Sequence, residues 1–203
     1  VLLFSPENRF AGDAKLNLDM YKKLGGYTRL IDHEAHIPML EESIGQADLI
    51  VDSIFGTGLS RNIEDVILEA IARVNKTNIP VVAVDISSGI NGDDGQVMGI
   101  GIKADHTVSF GYAKRGHLLH PGREYTGKLS VVPISLPVDS AKSIGVKAFT
   151  LDDRKMALHL KDRPRDGHKG TFGKVGVIAG SLGLAGAACL TSMAALKGGA
   201  GLV

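Results

Sequence analysis

The fold is decided by two stretches, DLIVDSIFGTGL at residues 48–59 and VVAVDISSG at residues 81–89. Each contains a short apolar run, then an aspartate (Asp52 or Asp85), and then a loop that includes glycine. Apolar runs of this length between turn residues are typical of strands that are buried on both faces of a sheet. We therefore predict two buried strands, each followed by a loop that begins near a carboxylate.

The segment between these strands predicts a helix. Its apolar residues recur at i, i+3, i+4, i+7, i+8 and i+11, which places them on one helical face. They are Ile63, Val66, Ile67, Ala70, Ile71 and Val74. We expect Asn62 to cap the helix, with Glu64 and Asp65 in its first turn near the positive end of the helix dipole. A strand, a helix and a strand at this spacing are typical of a βαβ unit.

The rest of the chain extends this pattern. Further strands are expected at 1–5, 28–31, 106–110 and 128–134, and helices at 14–24, 37–44 and 185–196. In the helix 14–24 we expect one broad apolar face made of Ala14, Leu16, Leu18, Met20, Tyr21 and Leu24. The expected fold class is α/β, a Rossmann-like three-layer α/β/α sandwich with a mostly parallel sheet.

The composition argues against several functional classes. The chain has 203 residues, of which 44% are hydrophobic and 22% charged, and its formal net charge is +1. A near-neutral chain without a long basic run is not by default a binder of nucleic acid or membrane surfaces. No apolar run approaches the roughly 18 residues of a membrane span. The single cysteine, Cys189, favours a reducing compartment, and its small apolar neighbours predict that it is buried.

A change in composition after Pro137 indicates a domain boundary. Residues 151–203 carry 8 basic and 4 acidic side chains, whereas residues 1–150 carry 15 and 18. The polar stretch KDRPRD at 161–166 is typical of a linker, and a glycine-rich segment follows it. The predicted divisions are a domain at 1–139, a linker with a short helix at 140–163 and the start of a second domain at 164–203.

The two aspartates form the first candidate site. Ligands of open α/β sheets bind at the carboxyl ends of the strands, and Asp52 and Asp85 would lie close together there if their strands are neighbours. Two such carboxylates can bind a cation or divide into acid and base; alternatively, each caps its own loop. The loop with Gly56 and Gly58 could approach a phosphate, or it is a tight turn into a capped helix.

A further candidate region is FGYAKRGHLLHPGR at residues 110–123. Lys114 and Arg115 could contact a phosphate. His117 and His120 are three residues apart, but no Cys or third His lies nearby to complete a metal site. We therefore expect two ordinary histidines in a surface loop.

Taken in order, these motifs resemble the YjeF N-terminal family, the NAD(P)H-hydrate epimerases. The resemblance rests on DSIFGTG at 52–58, DISSG at 85–89, FG at 110–111, KRGH at 114–117 and PGR at 121–123. A second set is similar to the opening of the ADP- or ATP-dependent NAD(P)H-hydrate dehydratases. It comprises RPRDGHKGTFGK at 163–174, AGS at 179–181 and AGA at 185–187. This order is similar to that of bifunctional nicotinamide nucleotide repair enzymes, and it implies the first βα portion of a ribokinase-like domain.

The resemblance implies an enzyme that repairs hydrated NADH and NADPH. The epimerase would interconvert the R and S hydrates, and in the full-length protein the dehydratase would restore NAD(P)H from the S form with ADP or ATP and magnesium. The implied ligands of a potassium ion are Asp52 and Ser88. The implied substrate-binding residues of the epimerase are Gly56, Thr57, Gly58, Leu59, Ser60, Arg61, Asn62 and Asp85, and Ala187 matches a substrate contact of the dehydratase. Because epimerisation needs proton transfer, we expect Asp52 to be catalytic and Asp85 to orient the ligand.

The resemblance also sets expectations about departures and partners. Ser87 stands where the family has Pro, which predicts a looser loop around Ser88, and Gly167 stands where the family usually has Ser. The family's Asn-Asn-x-x-Asp-Gly loop would precede Val1, and the dehydratase's catalytic Asp would follow Val203. We thus expect a fragment with impaired epimerase and no dehydratase activity. The expected partners are hydrated NAD(P)H and a second copy of the chain. No binding to nucleic acid or to a membrane is expected, and the expected location is the cytoplasm.

Two other function classes remain as alternatives. A non-catalytic binding or scaffold module of this fold would be expected to lose the strand-end carboxylates, whereas this chain retains Asp52 and Asp85. A plain NAD-dependent oxidoreductase would be expected to carry the six-residue glycine fingerprint and a ribose-binding acid after its first strand. The glycine loop of this chain has neither feature.

Overall fold

The computed structural model describes residues 1–137, 139–151, 153–160 and 162–203. The chain divides into two compact units, Val1–Ser140 and Ala141–Val203, and each is described by itself. The division expected from composition, at 139 and 163, stays a prediction. Within the described ranges, no helix combines the length and the apolar character needed to cross a membrane.

Parallel strands form the framework of the first unit. They are β1 (Leu2–Leu3), β2 (Arg29–Leu30), β3 (Ile50–Asp52), β4 (Val81–Val84), β5 (His106–Phe110) and β6 (Lys128–Val132). β1 and β2 form one parallel sheet, and β3, β4, β5 and β6 form a second in that order. The predicted α/β class with a parallel sheet is confirmed. Asp52 pairs with Ala83, so β3 and β4 end at the same edge of the sheet.

Helices lie between these strands along the chain of the first unit. They are α1 (Gly12–Lys23), α2 (Ile37–Gly45), α3 (Asp65–Val74) and α4 (Arg123–Thr126). Two clusters of buried apolar side chains lie against the sheets, and Ile44 of α2 and Ile67 of α3 border both clusters. The second cluster also contacts Ile54, Phe55 and Leu59, which anchors the loop after β3.

The start of α3 differs from the expectation. Glu64, not Asn62, is the residue before the first turn, and the helix begins at Asp65. The reason is Ile63, which is buried and whose N–H donates to the carbonyl of Met98 at 2.9 Å. This hydrogen bond holds the chain outside the helix until Glu64. The apolar face of α3 is confirmed, since Val66, Ala70, Ile71 and Val74 are buried.

The broad apolar face expected for α1 is wrong. Leu18 is buried, whereas Leu16, Met20 and Leu24 are exposed. A helix turns by about 100° per residue, so Leu16 and Met20 each lie roughly 200° from Leu18. These side chains therefore occupy the opposite side of the helix from its buried residue and do not widen one face.

The second unit contains the helix predicted near residues 185–196. It is observed as α7 (Gly186–Lys197), after the short helices α5 (Ser140–Ser143), which spans the boundary, and α6 (Asp153–Ala157). The expectation that Cys189 is buried is wrong, because this residue is exposed. The partly covered side of α7 is formed by Ala188, Ser192 and Ala195, at i, i+4 and i+7, and Cys189 lies beside that face.

Candidate functional site

Asp52 lies at the end of β3 and is almost fully enclosed, being 3% exposed. Its Oδ2 accepts a hydrogen bond from the N–H of Ser88 at 2.8 Å. Its Oδ1 accepts from the Ser88 hydroxyl at 2.6 Å and from the N–H of Ile54 at 3.3 Å. Burial raises the pKa of Asp52, and the hydrogen bonds from Ser88 and Ile54 oppose that rise only in part. Asp52 therefore holds a proton more tightly than an exposed aspartate does.

Ser88 joins the loop after β3 to the loop after β4. Its buried hydroxyl donates to Asp52 and accepts from the N–H of Phe55 at 2.9 Å. The neighbouring Ser87 is also buried, and its hydroxyl donates to the carbonyl of Tyr125 at 2.8 Å. This second hydrogen bond fixes the loop at the position where the sequence predicted a looser segment.

The glycine loop after β3 borders an open cavity. Its volume is about 300 Å³, and its lining residues are Ile54, Phe55, Gly56, Gly58, Leu59, Ser60 and Arg61. Leu59 is partly buried against the core, whereas the other members of the predicted substrate loop are exposed: Gly56, Thr57, Gly58, Ser60, Arg61 and Asn62. The loop is thus held by its apolar side chains and presents its glycines and polar side chains outward.

Asp85 follows β4 in a left-handed backbone conformation, with φ at 67°. Its Oδ1 accepts hydrogen bonds from the ammonium group of Lys114 and from the N–H of Phe110, the latter at 3.0 Å. Partial burial acts to raise the pKa of Asp85, but the contacts with Lys114 and Phe110 outweigh it and lower the pKa. Among the described residues, no donor reaches Oδ2, which leaves that oxygen open to a ligand.

Lys114 is directed at protein acceptors. Besides the bond to Asp85, its ammonium group donates to the hydroxyl of Ser109 at 3.0 Å and to the carbonyl of Phe110 at 3.1 Å. An ammonium group has three donors, so all are engaged. The phosphate contact predicted for Lys114 and Arg115 stays a prediction, and for Lys114 it would require these bonds to rearrange.

His117 is a candidate functional residue that the sequence did not indicate. It was expected in a surface loop, but it is 0% exposed. Its Nδ1 accepts a hydrogen bond from the N–H of Lys114 at 3.1 Å. His120, by contrast, has a side chain that is 70% exposed. The spacing of the two histidines does not predict that one is buried and the other exposed, because burial of His117 depends on how its turn packs against residues distant in sequence.

The structure brings two clusters to one edge of the sheet. A Cβ at Gly92 would lie 3.6 Å from Cγ2 of Thr57 and 3.8 Å from Cγ of Lys114. The glycine loop and the group formed by Lys114 and Asp85 therefore flank the same glycine. Ala187, the substrate contact implied for the dehydratase, belongs to the other compact unit. It is exposed in the first turn of α7, in the second unit.

Comparisons with known proteins show the family to which the chain belongs. Residues 1–116 match the family model described as YjeF-related protein N-terminus. The chain is 39% identical over 202 residues to the bifunctional NAD(P)H-hydrate repair enzyme Nnr of Moorella thermoacetica, covering 100% of the chain and 38% of that protein. It is 49% identical over 85 residues to the NAD(P)H-hydrate epimerase of Limosilactobacillus fermentum, covering 42% of the chain and 41% of that protein. The chain therefore spans less than half the length of these relatives.

A solved structure supports the fold. The crystal structure of yeast ynu0 matches with a TM-score of 0.51 at 21% identity, covering 70% of this chain and 58% of that one. At this identity the match concerns the arrangement of strands and helices alone.

Proposed function

The chain belongs to the family of YjeF-related protein N-termini, and on this basis we propose that it is the NAD(P)H-hydrate epimerase part of a longer repair enzyme. The observation that carries the proposal is the pair of strand-end carboxylates. Burial raises the pKa of Asp52, whereas the contacts with Lys114 and Phe110 lower the pKa of Asp85 despite its partial burial. Two carboxylates whose pKa values are moved apart are typical of acid–base sites.

The glycine loop supports binding of a hydrated dinucleotide. Exposed glycines such as Gly56 and Gly58 let a phosphate approach main-chain N–H groups, and Arg61 adds a positive charge nearby. The open Oδ2 of Asp85 can accept a hydrogen bond from a substrate hydroxyl. The proposed substrate-binding residues of the epimerase remain Gly56, Thr57, Gly58, Leu59, Ser60, Arg61, Asn62 and Asp85, whereas Ala187 is proposed as a substrate contact of the dehydratase part.

Asp52 is proposed as the catalytic residue because a carboxylate with a raised pKa is suited to proton transfer. A carboxylate offers about four acceptor positions, and Asp52 uses three of them for Ser88 and Ile54. The position left on Oδ2 can receive a substrate proton or face a cation. The two roles expected for Asp52 therefore compete for one position.

A potassium ion suits the donor atoms of Asp52 and Ser88. Both present oxygen, which hard cations prefer, and the Ser88 hydroxyl keeps one lone pair after its bonds to Asp52 and Phe55. In the part of the chain that the structure describes, no three His, Cys, Asp or Glu side chains gather around a metal position. When bound, the ion supplies positive charge that holds Asp52 ionised.

The longer protein is proposed to carry further properties. These are dehydration of the S hydrate with ADP or ATP and magnesium, assembly into a homo-oligomer, and a cytoplasmic location. The first is supported by relatives whose names describe a bifunctional repair enzyme.

The test is to incubate the full-length protein with a mixture of R and S hydrates, with and without nucleotide, and to follow both epimers by proton NMR. We expect interconversion without nucleotide and recovery of NAD(P)H only when ADP or ATP is added. Raising the potassium concentration separates the two roles of Asp52, since the rate rises if the ion is required there and falls if it displaces the substrate. If neither reaction occurs, the chain is a binding module.

A further inference from the structure

We propose that His117 is a positioning residue for the Asp85 carboxylate, which it holds in place through Lys114. The inference rests on the proposed function, which gives Asp85 a contact with the substrate. It concerns a buried histidine that has no assigned part in the reaction. The chain of contacts runs from the imidazole to the main chain of Lys114 and from the ammonium group of Lys114 to Asp85.

The first step is the state of the imidazole. Because Nδ1 of His117 accepts the hydrogen bond from Lys114, the ring proton of the neutral form lies on Nε2. Burial lowers the pKa of His117 and the Lys114 charge lowers it further, while the carbonyl and carboxylate of Asp85 act in the opposite direction. The ring is therefore neutral at neutral pH and able to accept. A protonated ring would lose that ability.

The second step concerns the free-energy cost of burying the imidazole of His117. Nε2 of His117 is buried, and among the described residues no acceptor meets full hydrogen-bond geometry there, although the carbonyl of Asp85 lies near enough to the ring to raise its pKa. An apolar side chain of similar size would avoid that penalty, because an unpaired buried donor loses its bond to water. The bond of Nδ1 to the N–H of Lys114 is thus the well-formed hydrogen bond that distinguishes histidine from leucine here.

The third step is how the Lys114 turn is held. The turn Arg115–His117 is closed by the N–H of His117, which donates to the carbonyl of Lys114 at 3.1 Å. On another side, the N–H of Gly116 donates to the carbonyl of Gly92 at 2.8 Å, and a Cβ on Gly116 would clash with the carbonyl of Asn91. The turn is therefore fixed by the loop 91–92 and by the imidazole of His117.

The last step is transmission to the substrate contact. With its main chain fixed, Lys114 places its ammonium group among Asp85, Ser109 and Phe110. This arrangement fixes Oδ1 of Asp85, and no donor among the described residues reaches Oδ2. If the N–H of Lys114 lost its acceptor, the ammonium group would gain freedom, and the orientation and the low pKa of Asp85 would both be lost.

The test compares three substitutions of His117 in the full-length protein. Asn places an oxygen near the position of Nδ1, Gln places its amide near Nε2, and Leu has neither. We expect His117→Leu and His117→Gln to lower kcat/KM for epimerisation about 10- to 100-fold, and His117→Asn to restore most of the rate. In parallel, ¹³C NMR of the Asp85 carboxyl is expected to show a raised pKa with Leu and Gln and a low pKa with Asn. His120→Asn, at an exposed histidine of the same loop, is the matched control and should change neither quantity.

The results distinguish a failure of the role proposed for His117 from a failure of the proposed function. Equal losses with Asn and Gln, or a wild-type rate and a wild-type Asp85 pKa with Leu, would overturn the role of His117. If the Leu variant does not fold, the comparison of Asn with Gln still decides. If the wild-type protein fails to interconvert the hydrates, the proposed function is lost, and the NMR comparison continues to test whether His117 holds Asp85.

Discussion

The ends of β3 and β4 carry the same short pattern, an apolar strand followed by a carboxylate, but their electrostatics are opposite. Asp52 is enclosed and meets only neutral donors from Ser88 and Ile54, so burial dominates and its pKa rises. Asp85 is only partly buried and meets the ammonium group of Lys114, so its pKa falls. The comparison shows that the strand places a carboxylate, whereas the distant partner decides its protonation.

The largest effect is expected from Asp52→Asn. The amide keeps the size of the carboxylate, but its NH₂ group must face at least one of the donors of Ser88 and Ile54. We expect the epimerisation rate to fall about 10²- to 10⁴-fold, because a proton-transfer group is removed. We also expect a loss of about 1–3 kcal/mol in the free energy of unfolding, measured by urea denaturation.

The matched control for this variant is Asp48→Asn, at an exposed aspartate just before β3. It should leave both the rate and the unfolding midpoint at wild-type values. A wild-type rate in Asp52→Asn would remove Asp52 from the mechanism and leave Asp85 as the remaining carboxylate of the pair.

Asp85→Asn is expected to have a smaller effect, and mainly on activity. Asparagine tolerates the left-handed φ of this residue better than most side chains, so the backbone is not strained. We expect a loss of about tenfold in kcat/KM from the weaker contact with the substrate. The free energy of unfolding should change by less than about 1 kcal/mol, as for other partly exposed ion pairs. A stability loss as large as that of Asp52→Asn would contradict the contrast between the two sites.

The two carboxylates are also expected to affect acid stability in opposite directions. The pKa of Asp85 is lower in the folded state, so its contribution is present above the unfolded pKa and is lost as pH falls through the folded value. The pKa of Asp52 is higher in the folded state, so the penalty of its ionised form disappears as pH falls through that value.

Thermal unfolding between about pH 7 and about pH 3 measures this difference. The Tm gap between wild type and Asp85→Asn should shrink on acidification, whereas the gap between wild type and Asp52→Asn should widen. Parallel behaviour of the two gaps would show that the carboxylates share one environment.

Local pattern was sufficient for the framework of the site. The strand β5 matches its expected range of 106–110, and the neighbouring strands β3 and β4 end at one edge as their apolar runs predicted. Continuous apolar runs and the periodicity of α3 are properties of adjacent residues, so they can be seen in the sequence. They bring Asp52 and Asp85 to the same edge without any knowledge of distant contacts.

The features that the sequence did not predict depend on distant contacts. Asn62 is kept out of α3 by the bond between Ile63 and Met98, and His117 is buried because its turn packs against residues 91–92. Likewise, nothing near Lys114 in sequence indicates that it pairs with Asp85, which lies 29 residues earlier. The local sequence pattern therefore predicts where the two carboxylates lie but not which side chains they contact.

The smallest effect on the epimerisation rate is expected from Ser87→Ala, which tests how firmly the Asp52 side is held. The Ser87 hydroxyl donates to the carbonyl of Tyr125, but that carbonyl also accepts from the N–H of Ala104 at 3.0 Å and so keeps one partner. We therefore expect a loss of only about 1 kcal/mol in the free energy of unfolding. Because Ser88 follows directly and binds Asp52, the epimerisation rate should fall severalfold while the pKa of Asp85 stays unchanged. Ser53→Ala, at an exposed serine beside Asp52, is the matched control. If Ser87→Ala changed the pKa of Asp85 as much as the pKa of Asp52, the ends of β3 and β4 would respond as one unit.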